Sequence, residues 1–487
     1  MATAKKKPKP KPKPKPKPKP KPKKPAKPKK PKAAETAAVL LVNMIPRSLS
    51  GETGQDSEPS LAVDPSDPKQ IVGSAFTADP MGGPSAPIFV SRDGGNTWVL
   101  RSTVPSEVQT GDISPRFGGG GRLYAGILKR PGNLLLNILR TDSAGGTTPM
   151  KIVVSRERVD QPFLAAVERD GKDRVYVGSN DFAAAGGRTA TIDQSQHGGA
   201  ATPTFSAVRL ERRSTGSAGQ NGPQVRPICH PDGTVYVAFY GWRSFDDATA
   251  EVTTDIVLVR DDAGGTGANP FTALIDPSDG LPGRLVASGR LFNWNAQLGN
   301  QRLGGDVALA VDPRDSDVVY VAWADRQPET GYTLHVRRST DRGATWSPSD
   351  LRTVGFATNP TLAINSRGRV AFLHQRVTGS GDSQRWVTTV ERSDDGINWT
   401  SMILATVPAN FPVPVFQPYI GDYAGLASVG KDFYGIFSAN NSPDLARFPN
   451  GVTYQRNADF TTRRLLDTDG TTPVAVSIDP FFFKITE

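Results

Sequence analysis

Cysteine is all but missing from this chain. Cys229 stands alone, so no intrachain disulfide can form, and burial and hydrogen bonding must hold the fold. Histidine is nearly as scarce, with four in 487 residues. There is no HExxH motif and no paired Cys/His spacing, which argues against a zinc site; neither a metal nor a cofactor is expected. Long apolar runs are absent too. The stretch 37–45 is broken by Asn43 and falls well short of the ~20 residues that cross a bilayer as a helix. A long basic region precedes it and no small-x-small cleavage site follows, so it makes a poor secretory signal. The expected address is the cytoplasm, or the outside by a non-classical route.

Outside the first 32 residues even lysine is rare. Residues 1–32 hold sixteen lysines and no acid; subtracting them from the net charge of +10 leaves 10 − 16 = −6 for the body. The basicity is therefore confined to a Lys-Pro arm. Proline removes backbone donors, the lysines repel one another, and no side chain is available for a core. Residues 1–35 should form a disordered, extended tail. Its chemistry suits adhesion to an anionic polymer: nucleic acid, anionic lipid or an acidic wall polymer. A solubilising spacer is the plainer alternative.

What the body does have is glycine (49), proline (42) and many short apolar strands. One pattern recurs seven times: a polar residue, a short strand, a turn, then a strand of the type Val-Tyr-Val-Ala. Copies begin at Glu58, Asp112, Gln161, Gly222, Asp306, Asn359 and Gln417, roughly 50 to 85 residues apart. That is the size of a four-stranded propeller blade. In the copy from Asp306, TLHVRRS reads as the third strand and TWSPSDLRTV as the fourth. The expected fold is all-β, a seven-bladed β-propeller, with six blades as the alternative. Residues 36–54 form a linker with a ring-closing strand as one option, and 55–487 form the propeller. Strand-like pieces at 39–45 and 474–485 are left over, and one of the two is expected to close the ring.

The turn between third and fourth strands carries a signature. Ser91-Arg92-Asp93-Gly94-Gly95-Asn96-Thr97-Trp98 and Ser339-Thr340-Asp341-Arg342-Gly343-Ala344-Thr345-Trp346 both match S-x-D-x-G-x-T-W. Ser393 to Trp399 is one residue shorter, and eroded copies start at Asp142 and Asp262. This resembles the Asp-box, or BNR, repeat of the sialidase-like superfamily. The resemblance implies a carbohydrate-directed propeller, either a glycan-binding domain or a divergent exo-glycosidase. It also implies that the boxes lie on the face opposite the ligand. Physically, the carboxylate accepts N–H bonds of its own turn, glycine permits the left-handed step, and tryptophan packs between layers. Asp93, Trp98, Asp341, Trp346, Asp395 and Trp399 are thus expected to serve the fold.

Chemistry is expected at the other face, where first strands begin and second strands end. Acids stand at first-strand starts: Glu58, Asp112 and Asp306. These are the candidate catalytic residues. Arginines stand at second-strand exits: Arg130, Arg243, Arg326 and Arg376. With Tyr240 and Tyr419 they are the candidate ligand-binding residues, because guanidinium forks hold carboxylates and paired carboxyls serve glycoside cleavage. Sialidases hold their substrate with an arginine triad and use a Tyr/Glu nucleophile; here no Arg-Ile-Pro motif occurs and spacing assigns no Tyr/Glu pair. The expected partner is a glycan or small acidic ligand on the central face. The alternative is a non-catalytic scaffold that binds another protein there.

Overall fold

The computed structural model describes residues 1–2, 4, 37–76, 86–104, 110–129, 134–184, 189–213, 224–327 and 331–487. Most of the Lys-Pro tail and Arg130 lie outside the described residues. Residues 38–487 form one compact unit. Its regular structure among the described residues is strand, apart from four short 3-10 turns, and no helix is long and apolar enough to cross a membrane.

Strand formation follows from alternation with both faces apolar. In the strand Asp315–Gln327 the run from Val319 to Asp325 is buried on both sides, as expected when a sheet is covered on each face. All seven sequence repeats form their first and second strands. Six sheets are four-stranded meanders in chain order, and the seventh has five strands. The first strands are Ser57–Val63, Thr110–Phe117, Val159–Arg169, Val225–Cys229, Val307–Asp312, Ala357–Ile364 and Gly425–Val429. Each lies at the edge of its sheet and beside the first strand of the next, and Gly425–Val429 lies beside Ser57–Val63.

Two expectations need correction. Both leftover pieces, not one, enter the seventh sheet. Ile478–Thr486 pairs antiparallel with Asp432–Asn440 on one side and with Ala38–Asn43 on the other. The apolar side chains of Phe481, Phe482 and Phe483 are buried there, so neither strand can be spared. The fourth strand of the fifth sheet is also shorter than expected: only Arg352–Gly355 pairs. Its Trp-Ser-Pro-Ser lead is a loop, because proline cannot donate to a ladder.

The three signature turns fold alike. Asp93 accepts the N–H of Thr97 (3.0 Å) and its hydroxyl (2.6 Å). Asp341 does the same with Thr345 at 2.8 and 2.5 Å. Asp395 accepts the N–H groups of Ile397 and Asn398, both at 2.8 Å. Trp98 is buried, donates to Gly95 O (3.0 Å) and packs against Phe482 at 5.1 Å. Trp346 and Trp399 are partly buried against the core. These turns follow third-strand ends that pair with second-strand starts, as Ser339 with Val319. They therefore stand at the opposite end of their sheets from Glu58 and Asp306.

The eroded copies do not keep this pattern. Asp142 pairs with Arg122 (2.8 Å), and Asp262 pairs with Arg260 and Arg342. In the fourth sheet Asp261 takes the place of the box serine, accepting Gly265 N at 2.8 Å as Ser339 accepts Gly343 N at 2.8 Å.

Gly94 and Gly95 separate two costs. Both have positive φ, +78° and +95°. An added Cβ at Gly94 meets nothing within 4 Å, whereas at Gly95 it would lie 1.9 Å from the Phe482 ring. Gly94→Ala should cost about 1 kcal/mol, the left-handed penalty alone. Gly95→Ala should cost at least about 2 kcal/mol more, by overpacking the closing strand. Denaturant unfolding of the two variants measures the difference; equal losses would mean the ring contact is dispensable.

Candidate functional site

Four carboxyl groups meet where the first strands begin. Glu58, Asp112, Asp306 and Asp422 are each no more than 6% exposed. Glu58 comes from the first sheet, Asp112 from the second and Asp306 from the edge of the fifth. Asp422 and Tyr423 come from the loop that joins the sixth sheet to the seventh. The candidate catalytic residues are thus brought together, and Asp422 joins them.

Two local devices aim these side chains. Glu58, Gln161 and Asn359 each precede a proline, yet each has positive φ of 51° to 56°. Residues before proline favour extended backbone, so this is a strained choice. The pairing register slips at each place, between Ser57 and Ser60, Asp160 and Phe163, and Thr358 and Thr361. Such a bulge re-aims a side chain at the end of a strand. The second device is close approach of the 417–424 loop. Gly421 has φ of +100°, and a Cβ there would fall 2.3 Å from the Glu58 nitrogen. Gln301 fixes the loop by donating to Gly421 O (3.0 Å) and accepting Ile420 N (2.7 Å).

The contacts form one network. Tyr423 donates to Asp112 (2.9 Å) and meets Phe163 edge-on at 5.1 Å. Arg302 donates to Asp422 (2.6 Å). Gln224 donates to Asp306 (3.1 Å) and to Asp422 O (3.1 Å), and accepts from Arg226 (2.6 Å). Arg226 lies flat over Phe163, 3.1 Å from the ring centre. Asp306 accepts the Thr358 hydroxyl (2.7 Å) and the Asn359 N–H (3.0 Å), which steadies the strained backbone.

Burial dominates the proton affinities. It pushes the Glu58 carboxyl well above its ordinary value, and the neighbouring charges of Asp112 and Asp422 push it further. Glu58 and Asp112 are hydrogen-bonded neighbours, and two such carboxyls cannot both ionise cheaply. Burial, with Asp422 nearby, raises Asp306 to about 7. Burial also raises Asp422, against the pull of Arg302. Burial lowers Arg226 to about 9. The site therefore sets a carboxyl whose neutral form is favoured by burial, Glu58, near one held by a guanidinium, Asp422.

The arginines at second-strand exits stand elsewhere in this network. Arg243 pairs with Asp255 (2.7 Å) and Glu211 (3.1 Å). Arg326 pairs with Glu251. Arg376 is exposed, its backbone paired with Ala357 at the start of a first strand. The guanidinium that reaches the acids directly is that of Arg302, and Arg226 is linked to Asp306 through Gln224. Tyr240 is buried with its hydroxyl between Asp306 O (2.8 Å) and Ala324 O (2.6 Å), so it ties two sheets together. Tyr419 is buried, and its hydroxyl has no partner among the described residues.

A second acidic group has a different character. Ligand atoms of Glu52, Asp56 and Asp479 lie within 4.8 Å of one another. Arg456 sits among them, fully buried, 2.9 Å from Asp479. The guanidinium already supplies the cation there.

No protein-family model matches the chain, and no curated protein matches it. Solved structures similar to it include the GH93 alpha-L-arabinofuranosidase of Fusarium graminearum with arabinobiose. That match has 12% identity over 90% of this chain and 97% of that one, with a TM-score of 0.40. The Penicillium chrysogenum alpha-L-arabinanase with arabinobiose matches at 13% identity over 91% and 98%, with a TM-score of 0.41. The GH43 endo-arabinanase from Bacillus licheniformis matches at 12% over 61% and 96%, with a TM-score of 0.33. At these scores the likeness decides nothing about activity.

Asp306 gives the site a stability signature. Below about pH 4 its carboxyl is protonated in both folded and unfolded chains. Between about 4 and about 7 the unfolded chain releases the proton and the folded one keeps it. Its contribution must therefore fall as pH rises through that window, by on the order of 3 kcal/mol, and level off above it. Asp306→Asn should become more stable relative to the parent as pH rises from 4 to 7. Denaturant midpoints at several pH values test this; a pH-independent difference would rule out the raised proton affinity.

Proposed function

We propose that this chain is a seven-bladed Asp-box propeller whose central carboxyl cluster recognises carbohydrate, as a divergent exo-glycosidase or a glycan-binding domain. The observation that carries this reading is the meeting of Glu58, Asp112, Asp306 and Asp422 beside Arg226 and Arg302. Six meander sheets in order, a seventh built from both chain ends, and inner strands that return to their start support the propeller. Three turns with the Asp-box hydrogen bonds support the family.

In the enzymatic form, Glu58 is the proton donor, since burial and two neighbouring acids keep it protonated. Asp422, held by Arg302, and Asp306 are the candidates for the ionised partner. Arg226 and Arg302 orient the substrate or balance the charge that develops. Arg243, Arg326 and Arg376 would form an outer ring for an acidic ligand. A panel of fluorogenic glycosides of neutral and acidic sugars, run beside a glycan array, tests the reading. Glu58→Gln should lower kcat by about 10²–10⁴ with little change in KM. Asp341→Asn, at a box turn, should lower stability and leave intrinsic activity alone. With binding but no turnover, Arg302→Gln should abolish retention on the array. Neither turnover nor glycan retention by the parent would overturn the proposal.

The scaffold alternative has one observation in its favour. Phe411, Val413 and Val415 are 53, 77 and 80% exposed, on the same loop that delivers Asp422. Exposed apolar side chains in one short segment suit a protein partner. Replacing the two valines with serine should leave glycan retention unchanged under the carbohydrate reading.

The tail is proposed to hold the propeller near an anionic polymer. A version beginning at Ala33 should elute from heparin at markedly lower salt than the full chain, because the remaining charge is net acidic. Equal elution would show that the arm takes no part.

A further inference from the structure

The first strands enclose a cavity of about 320 Å³ along their common axis. It adjoins the carboxyl cluster, sharing Phe163, Arg226 and Tyr423 with that network, but none of the four clustered acids lines it. Every charged side chain on its wall is cationic: Arg116 and Arg226, with no aspartate or glutamate. The rest of the wall is apolar or hydroxylic, including Ser60, Ser114, Thr361 and Ser428.

Neither arginine makes an ion pair within 4 Å among the described residues. Arg116 donates Nε to Leu164 O (3.2 Å). Arg226 donates Nε to Val307 O (3.0 Å) and Nη2 to Gln224, and its buried Nη1 has no partner. The two differ in surroundings. Asp306, Asp112 and Asp422 are close enough to act on Arg226. Arg116 has Cys229 beside it, and burial pushes that thiol up to about 12, so it stays neutral. Both guanidinium groups are part-buried and face this wall without a counter-charge on it, which is costly.

We propose that this axial cavity is a binding site for a small oxyanion, a phosphate or carboxylate group held by Arg116 and reached from one side by Arg226. The cavity is about ten times the ~30 Å³ share of a water molecule, so it admits a phosphate ester or a short carboxylic acid. Bidentate guanidinium binding supplies the recognition, and the anion neutralises Arg116. This site shares Arg226 with the carbohydrate reading but does not rest on it, since Arg116, the residue tested here, takes no part in that reading.

Thermal unfolding of the full chain tests it, with inorganic phosphate and acetate as separate probes and chloride at matched ionic strength as reference. Parent and Arg116→Gln carry the same tail, so comparing them separates the cavity from anions bound by the tail's lysines. Either oxyanion should raise Tm saturably, on the order of 3 °C, and Arg116→Gln should abolish the rise. Phosphate alone acting identifies the phosphate class, and acetate acting as well identifies the carboxylate class. No rise beyond chloride, or the same rise in Arg116→Gln, overturns the site. Should Arg116→Gln not fold, selenate-soaked crystals of the parent decide it. An anomalous peak at Arg116 supports the proposal, and its absence overturns it.

Discussion

The strand Ile478–Thr486 is the piece on which everything else depends. It lies between Asp432–Asn440 and Ala38–Asn43 and hydrogen-bonds to both. The two ends of the compact unit are thus neighbours in one sheet. Strand pairing costs the closure entropy of a very long loop, but that cost grows only with the logarithm of length. Full burial of Phe481, Phe482 and Phe483 offsets it. Once the last sheet is made from both ends, the first sheet stands beside it. Only then can Glu58, near the start, meet the loop carrying Asp422, near the end.

Much of this was legible in the sequence because it is local chemistry. Seven strand pairs could be read from alternation and turn residues, which depend on a few neighbours at a time. The box turns were legible for the same reason: Asp93 and Asp341 bond to their own threonines four residues on. The eroded copy in the fourth sheet misled by one position, since Asp261 imitates the box serine and Asp262 faces Arg342 instead. Counting from the signature aspartate cannot detect that exchange.

The acids of the site were legible by register, and their cationic partners were not. Glu58, Asp112 and Asp306 share the first-strand start, a position that the repeat defines. Arg302 lies in the long connection between the fourth and fifth sheets, outside any repeat, and Asp422 lies in an irregular loop. Arg226 did carry a signal: it is a charged residue inside a first strand, followed by proline. A charge in the innermost strand of a repeat, where other copies place small or apolar residues, is the mark to look for. Arg243 and Arg326 looked equivalent in register, yet each had an acid within reach on a neighbouring segment, Glu211 and Glu251. Pairing between elements distant in sequence is invisible to register.

Two buried acidic clusters in one molecule show what charge burial is for. At Arg456 a fully buried guanidinium stands among the acids. Asp479 accepts from Asn43 (2.7 Å), Asn441 (2.7 Å) and Arg456, and Arg456 also donates to Ser50 O (2.7 Å) and to Glu52 O (2.5 Å). These contacts join the start of the compact unit to its last strand, so the cluster acts as a latch on the closing sheet. The central cluster is unlike it. Four carboxyls share two arginines, one of them stacked on a ring and depressed by burial. Burial raises the proton affinity of Glu58 and Asp306, as it does that of Glu52 beside Arg456. Replacing a buried ionic group by apolar residues is often neutral or favourable for stability. The Arg456 cluster links the two ends of the compact unit through one guanidinium, whereas the central one gathers four acids of which, among the described residues, only Asp422 has a direct hydrogen bond from an arginine, Arg302.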